Sequence, residues 1–195
     1  MNPNIKIVEK PDWVTWETIS EVLKKAHQDN RDQGVVMRLP MLSAEEIKNK
    51  FGDHDKFFVA LDGEKVVGTG AVAIKEYSLW CNGEDARYAY VCFAAVLPEY
   101  SGMGIYKALD LRREKAAREM GVTKIIGDTH ERNQHRLDIM MKVGYKFVAY
   151  KYCHDHFNIV AVKWLDGCPY SPMKCKFEFQ KDRIRVKLRA LIYKR

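Results

Sequence analysis

The longest run of strand-forming residues in the chain passes directly into a glycine-rich helix start. Residues 87–96 are rich in aromatic and β-branched side chains, and the run halts at Pro98. Gly102 and Gly104 then precede a segment whose apolar residues recur at helical spacing. A strand of this kind needs partner strands, and the apolar face of the helix needs a surface to cover. The chain therefore has to build a sheet with packed helices around this junction.

The order of the other patterns indicates the type of sheet. It is strand, two helices, three strands, helix, strand, helix and two strands, which lacks the strict alternation of a parallel βαβ fold. We predict an α/β protein of the mixed α+β kind, with a mixed, mostly antiparallel central sheet and helices on both faces. Strands are predicted at residues 5–8, 57–61, 66–74, 87–96, 124–127 and in a hairpin over 146–165, and helices at 16–33, 43–51, 105–120 and 133–143.

Charge is concentrated at the carboxyl end of the 195-residue chain. The formal net charge is +7, and residues 174–195 hold nine basic residues against two acidic ones, so the remainder is balanced. We predict one domain over 1–173 and a basic extension over 174–195 that packs on it. The asymmetry indicates contact between the tail and an acidic surface. Nucleic acid is the less favoured surface, because no recognised nucleic-acid-binding module accompanies the charge.

The tail fits two local structures. If Asp182 caps a helix, four aliphatic side chains share one face, but the same stretch also alternates as a strand would. We favour the helix and expect its apolar face to pack on the domain, with binding to anionic lipid or nucleic acid as the alternatives. The four aliphatic residues are Ile184, Leu188, Leu191 and Ile192.

Cysteine usage and the amino terminus set the expected compartment. The five cysteines include no C-x-x-C pair, which argues against a disulfide framework or structural zinc. Residues 1–6 lack the start of a secretory signal, and no apolar stretch could span a bilayer. We expect a cytoplasmic protein with free thiols and no metal. The Cys-His-Asp-His run at 153–156 has metal-capable types, but a hairpin turn brings such residues together without a metal.

The two-glycine turn has a direct chemical use. The first amides of a helix have no carbonyl partner within the helix and lie at the positive end of its dipole, so they suit a diphosphate. Gly102 and Gly104 let the main chain approach the phosphate oxygens, since any Cβ would stand between them. Lys107 replaces the third glycine of a dinucleotide fingerprint, and the P-loop G-K-[ST] is absent. A purely structural tight turn is the alternative.

Two segments resemble motifs of the GNAT superfamily. Residues 95–109, AVLPEYSGMGIYKAL, are similar to its acetyl-CoA signature, Q/R-x-x-G-x-G/A. On that pattern Ser101 takes the Gln/Arg place, Gly104 the central glycine and Tyr106 the final Gly/Ala, so two anchor positions differ. Residues 133–145 are similar to the later N…K-x-G-[FY] motif. The resemblance implies a GNAT-like domain over 1–173, an N-acyltransferase that moves an acetyl group from acetyl-CoA, its co-substrate, to a small amine acceptor.

The resemblance also implies where acetyl-CoA would bind. In the family, the main chain of the central strand pairs with pantetheine and polarises the thioester. Asn133 is similar to the side chain that hydrogen-bonds the pantetheine arm. The implied cofactor-binding residues are Ala94, Ala95, Val96, Ser101, Gly102, Met103, Gly104, Ile105, Tyr106 and Asn133.

Proton transfer is less well defined by the resemblance. Tyr90 stands where many members keep a strand glutamate, and Met140 replaces a tyrosine that often serves as general acid. His130 and Glu131 are the best candidates for a base, because histidine titrates near neutrality and burial can raise a glutamate towards it; a polar strand-to-helix connection is the alternative. A non-catalytic acyl-CoA-binding or partner-binding domain and a basic nucleic-acid-binding protein are the rival functions. A homodimer is compatible with each, and the acceptor is left open.

Overall fold

Among the described residues, seven strands and six α-helices follow one another in the predicted order; the short second helix is additional, and the sixth helix is the favoured helix of the tail. The computed structural model describes residues 4–35, 41–52, 55–76, 87–153 and 156–193. The strand pairs β1–β2, β2–β3, β5–β7 and β6–β7 are antiparallel, which confirms the mixed, mostly antiparallel α/β class. Within the described ranges, no helix combines the length and the hydrophobicity that crossing a membrane requires. The chain folds as two compact units.

The first unit comprises residues 1–75 and 89–122. Its strands lie in the spatial order β1-β2-β3-β4. The β2–β3 hairpin turns at Gly63, whose φ is 60°, as the Asp-Gly signal predicts. The elements are β1 (Ile5–Glu9), α1 (Trp16–Ala26), α2 (Gln28–Asp32), α3 (Ala44–Lys48), β2 (Lys56–Asp62), β3 (Lys65–Lys75), β4 (Tyr88–Val96) and α4 (Ile105–Glu119).

Local capping sets the helices of this unit. Ser43 and Glu46 form the predicted capping box at the start of α3, each side chain bonding the other residue's amide. The prediction of one helix running to Gly34 is wrong at His27. The backbone of His27, with φ −107° and ψ 11°, leaves the helical region, so α1 ends and the short α2 begins. Gly34, at φ 72°, follows the second helix.

An aromatic cluster joins the first helix to the sheet within this unit. Trp16 of α1 stacks on Phe51 at a centroid distance of 5.8 Å and meets the edge of Phe57 at 5.3 Å. Phe51 and Phe57 in turn contact Phe93 of β4, at 5.2 and 6.1 Å. Each such pair contributes about 0.5–1.5 kcal/mol beyond its buried area. The cluster therefore fixes the middle of β4, the strand on which the candidate site depends.

The second unit comprises residues 76–88 and 123–195. Its strand order is β5-β7-β6, so β7 is central and β6 is the outer strand. Strand β5 continues three residues beyond its predicted end at Gly127, and His130 closes it opposite Asn158 of β7. The elements are β5 (Lys124–His130), α5 (Gln134–Lys142), β6 (Lys146–Cys153), β7 (His156–Trp164) and α6 (Pro172–Tyr193).

The basic tail forms one helix, α6, which confirms the favoured prediction. Its predicted start is wrong, however, because Pro172 is the first helical residue and the Ser171 hydroxyl accepts the amide of Lys174 at 3.2 Å. Asp182, the expected cap, lies in the middle of the helix and is buried. Its Oδ2 accepts the Tyr150 N–H of β6 at 2.8 Å, and Oδ1 pairs with Arg185. A helix carboxylate thus satisfies an amide of the outer strand.

The packed face of α6 is not the one that the sequence suggested. Phe179 packs with Leu137, Tyr150 and Ile159, and Val186 lies against the same cluster. Because Asp182 faces β6, Phe179 three residues before it and Val186 four residues after it lie on the same side and pack inwards. The predicted packing residues Ile184, Leu188, Leu191 and Ile192 are all exposed.

Candidate active site

The predicted phosphate turn lies at the amino end of α4. Gly102 and Gly104 have φ values of 77° and 78°, a left-handed backbone conformation that residues other than glycine rarely adopt. No heavy atom lies within 4 Å of the place where a Cβ would stand on either residue. Gly104 is the N-cap, and its carbonyl accepts the Ala108 amide at 3.1 Å. The first amides of α4 therefore point outwards from an open main chain whose first turn carries Lys107 and no acidic residue.

Tyr106, the bulkiest departure from the GNAT signature, turns away from this opening. Its hydroxyl accepts a hydrogen bond from Nη2 of Arg113 at 3.3 Å, and its ring lies 5.7 Å from that guanidinium. Arg113 is two helical turns further along α4, so the Tyr106 side chain runs along the helix. A large residue at this position is consequently compatible with a ligand at the turn.

Side chains of the β2–β3 hairpin hold the segment before the turn. Residues 98–100 form a short 3₁₀ helix, and the Tyr100 hydroxyl donates to Asp62 at 2.9 Å. Lys65 pairs with Glu99 at 3.3 Å and lies 5.0 Å from the centre of the Tyr100 ring. The hydrogen bond to Asp62 raises the pKa of Tyr100, and the one to Glu99 raises the pKa of Lys65. These contacts fix the approach to Gly102, and sequence reasoning missed them.

Strand β4 has an irregular backbone where pantetheine is predicted to bind. Phe93 has φ 52°, and among the described residues no other non-glycine residue has a positive φ. Its carbonyl accepts the Thr69 hydroxyl at 2.7 Å. The Ala95 carbonyl also faces β3, since a Cβ on Gly68 would stand 3.1 Å from it. By strand alternation, the peptide groups of Ala94 and Val96 point to the other edge of β4.

The side chains of β4 alternate between buried and partly exposed. Tyr90, Ala94 and Val96 are partly exposed, whereas Val91 and Ala95 are buried. Tyr90 therefore shares one face of the strand with two of the three predicted pantetheine-contacting residues. Met140 stands where many family members have a tyrosine that serves as general acid. In this chain it is fully buried in the second unit. Its side chain is part of the core.

Glu131, a candidate base, is engaged by two neighbours. Its carboxylate accepts the Tyr150 hydroxyl and pairs with Nζ of Lys187 at 3.4 Å. Its own amide donates to the Phe157 carbonyl at 2.9 Å, which fixes the main chain. Lys187 also lies 5.4 Å from the centre of the Tyr150 ring. Both side-chain contacts use Oε2, so Oε1 is the oxygen at which Glu131 would take a proton from an amine.

His130, the other candidate base, is buried at the end of β5. Its Nδ1 accepts the Arg132 amide at 3.0 Å, so in the neutral ring the proton is on Nε2. The ring stacks on His156 with centroids 5.0 Å apart. Burial, followed by the charge of His156, lowers the pKa of His130 below its ordinary 6.5. The neutral form is thus the one that the fold favours.

This arrangement predicts a loss of stability in mild acid. The unfolded chain protonates His130 near pH 6.5 while the folded chain resists, so the unfolded state binds more protons and the free energy of unfolding falls as pH drops below that value. His130→Asn keeps an acceptor for the Arg132 amide and removes the titration. Urea unfolding at pH 7.5 and 5.5 should show a smaller difference for this variant than for the wild type. The exposed His135→Asn is the matched control, and equal pH differences in all three proteins would contradict the assignment.

Asn133 occupies the N-cap of α5. Its Oδ1 accepts the Arg136 amide at 3.1 Å, and the residue is buried. Burial lowers the pKa of Arg136 to about 10, an effect that Tyr145 partly offsets. The cap uses the carbonyl oxygen of Asn133 as an acceptor, which leaves its NH₂ group to donate to a ligand.

The metal-capable run lies largely outside the described residues. His154, Asp155 and Cys81 lie outside the described residues, and so does the side chain of Cys153. In the part of the chain that the structure does describe, no three His, Cys, Asp or Glu side chains come together as a metal site would require. Of the described cysteine side chains, Cys92, Cys168 and Cys175 form no disulfide.

Solved structures with the same fold include several acetyltransferases. An acetyltransferase from Streptococcus agalactiae is 19% identical, with a TM-score of 0.65 over 84% of this chain and 99% of its own. The PaiA N-acetyltransferase from Thermoplasma acidophilum, in complex with coenzyme A, is 17% identical, with a TM-score of 0.63 over 82% and 98%. The putative acetyltransferase YncA from Salmonella typhimurium, with its cofactor acetyl-CoA, is 14% identical, with a TM-score of 0.62 over 86% and 98%. At these identities the likeness establishes the fold.

The sequence itself provides the family. No curated protein sequence matches the chain. The model of the acetyltransferase (GNAT) family, however, matches residues 16–145, which is more than half of the chain and includes both the glycine turn and the motif that begins at Asn133. The chain therefore belongs to the acetyltransferase (GNAT) family.

Proposed function

We propose that this protein transfers an acetyl group from acetyl-CoA to a primary amine of a small-molecule acceptor, by direct attack of the amine on the thioester. The observation that carries the proposal is the open amino end of α4, where Gly102 and Gly104 expose the main chain at φ 77° and 78°. The solved relatives that hold coenzyme A or acetyl-CoA support this choice of donor. We keep the cytoplasm as the expected compartment.

The described geometry supports one assignment of the cofactor contacts. We assign the pyrophosphate to the main chain of residues 101–106, where amides and the helix dipole attract a diphosphate. We assign pantetheine to the main chain of residues 94–96, because the peptide groups of Ala94 and Val96 turn away from β3. The NH₂ group of Asn133 is the proposed donor to a pantetheine carbonyl.

The chemical step needs a neutral amine and a route for one proton. The amine nitrogen forms a bond to the acetyl carbon, the carbon–sulfur bond breaks, and the amine's extra proton leaves to a base while the CoA thiolate is released. We propose Tyr90, His130 and Glu131 as the groups that handle protons. An acceptor ammonium is a chemical match for the Lys187 ammonium, so it could take that place beside Glu131 and lose its proton there.

Two measurements on the purified protein test the proposal. Calorimetry should detect association with both acetyl-CoA and free CoA, since the diphosphate and pantetheine are common to them. Thiol release from acetyl-CoA, measured across a panel of amino sugars, amino acids and polyamines, should exceed the amine-free rate for at least one acceptor. An absence of association heat at millimolar CoA would overturn the assignment of the cofactor site.

A non-catalytic acyl-CoA-binding domain is the second candidate function. The observation that favours it is that His130 Nδ1 and the Glu131 carboxylate are already bonded within the protein. In that case, CoA would bind with measurable heat, but no amine in the panel would accelerate thiol release. The same two measurements therefore separate the two functions.

A further inference from the structure

Helix α6 has a second apolar face, and its side chains are exposed in the part of the chain that the structure describes. The inward face carries Phe179 and Val186, which pack in the core cluster of the second unit. Residues two positions further along point to the opposite side of the helix, because each residue advances the direction by about 100°. Ile184 follows the inward-facing Asp182 by two positions, and Leu188 follows the inward-facing Val186 by two, so both point outwards. The outward side is therefore also apolar.

We call this outward face the outer stripe. Its residues recur at intervals of three, four or seven, the spacing of a single helical face. They are 56–81% exposed, and they extend over about 27 Å at 1.5 Å per residue. The outer stripe consists of Met173, Phe177, Ile184, Leu188 and Leu191.

Basic side chains border the outer stripe on both sides. On the helical projection, three flank one edge and three flank the other. Five of the six are exposed, and Lys187 is half-buried through its pair with Glu131. Long basic side chains beside an apolar face can rest their methylenes on it while their charges reach outwards. The six are Lys174, Lys181 and Arg185 on one edge and Lys176, Arg183 and Lys187 on the other.

Charge and hydrophobicity together select the partner. An apolar stripe gains from an apolar medium, and two cationic borders gain from a negative surface, so both are satisfied at the boundary of an anionic phospholipid bilayer. A second copy of α6 would set Lys and Arg against Lys and Arg. A nucleic acid would leave Ile184, Leu188 and Leu191 against phosphates, with nothing apolar to cover them. We propose that α6 is a membrane-surface helix that docks the protein on anionic phospholipid through the outer stripe.

The helix can dock without leaving its place in the fold. Asp182 bonds the Tyr150 amide of β6, and Phe179 packs in the core cluster, so α6 is held from its inward side. The outer stripe takes no part in either contact. Lipid binding therefore requires no unfolding, and variants of the stripe leave the fold intact.

Vesicle sedimentation with the full-length protein tests this proposal. Vesicles of pure phosphatidylcholine are compared with vesicles containing about 30% phosphatidylglycerol, and we expect at least about tenfold stronger partition onto the anionic ones. Ile184→Asp with Leu188→Asp should abolish the binding. The control is Leu111→Asp, which places the same charge on an exposed leucine of α4. A charge variant, Lys176→Gln with Lys181→Gln, should weaken binding several-fold without touching the stripe.

Three results would overturn the proposal. The first is equal partition of the wild type onto neutral and anionic vesicles, or onto neither. The second is unchanged binding by the Ile184→Asp, Leu188→Asp protein while its circular dichroism matches the wild type. The third is a dimer in light scattering, or a complex with duplex DNA, that the stripe variant abolishes in the absence of lipid binding. Failure of lipid binding would leave calorimetric CoA association unaffected, so the two proposals are judged separately.

Discussion

Replacing Gly104 with alanine should weaken binding of acetyl-CoA by about 100-fold and leave the protein folded. The φ of 78° costs a side chain about 1 kcal/mol, and the added Cβ stands beside the amides at the start of α4. Loss of one charge-assisted hydrogen bond to the diphosphate costs about 1.5–3 kcal/mol, and the upper end of that range corresponds to a factor of this size. Isothermal calorimetry with acetyl-CoA measures it.

Gly121→Ala is the matched control for this variant. Gly121 follows the other end of α4 at φ 72°, and again no heavy atom lies within 4 Å of the added Cβ. Both variants should therefore lose about the same free energy of unfolding, whereas only Gly104→Ala should lose affinity. If the two proteins bind acetyl-CoA equally well, the diphosphate does not lie against this turn.

The second large effect is expected at the buried ion pair of α4. Arg113 is 0% exposed, and its Nη2 lies 3.0 Å from Oδ1 of Asp110, itself almost fully buried. Asp110→Ala leaves a guanidinium in the core without its counter-charge, which costs about 3–5 kcal/mol. That is a large share of the about 5–15 kcal/mol that stabilises a typical domain. Urea unfolding should show the loss as a much lower midpoint.

Removing both charges should recover most of this loss. The Arg113 side chain lies against Gly70, 3.4 Å from the position of a Cβ there, and methionine can follow the same path. Among the described residues, no acceptor contacts Nε or Nη1 of Arg113, so the charged pair is incompletely satisfied. The Asp110→Ala, Arg113→Met protein should be more stable than Asp110→Ala alone. A loss below about 1 kcal/mol in the single variant would mean that Arg113 reaches water in solution.

Local patterns in the sequence predicted the parts of the fold that are decided locally. The Asp62–Gly63 turn, the Ser43–Glu46 capping box and the glycines before α4 each depend on residues within a few positions. The packed face of α6 could not be predicted in this way, because both of its faces are apolar. Its choice depends on the contact of Asp182 with Tyr150, which is 32 residues away. The positive φ of Phe93 has no sequence signal, since phenylalanine rarely adopts it.

In the candidate site, too, some features follow from a local motif and others depend on residues that are distant in the sequence. The position of the predicted phosphate turn follows from a short motif, and Gly104 stands at the N-cap of α4 as that motif implies. The partners of the Glu131 carboxylate do not follow from a local motif, because Tyr150 belongs to β6 and Lys187 to α6. Likewise, the motif does not give the direction of the Tyr106 side chain, which follows α4 towards Arg113.

The Asp182 contact has a consequence for how the protein can be shortened. A chain that ended before Pro172 would lose the cover of Phe179 over Leu137 and Ile159, and the Tyr150 amide would become an open hydrogen-bond donor on a bare strand margin. Exposed edge strands of this kind pair with strands of other molecules, so we expect the truncated protein to aggregate. Substitution, rather than removal, is therefore the sound way to study the charge that this helix carries.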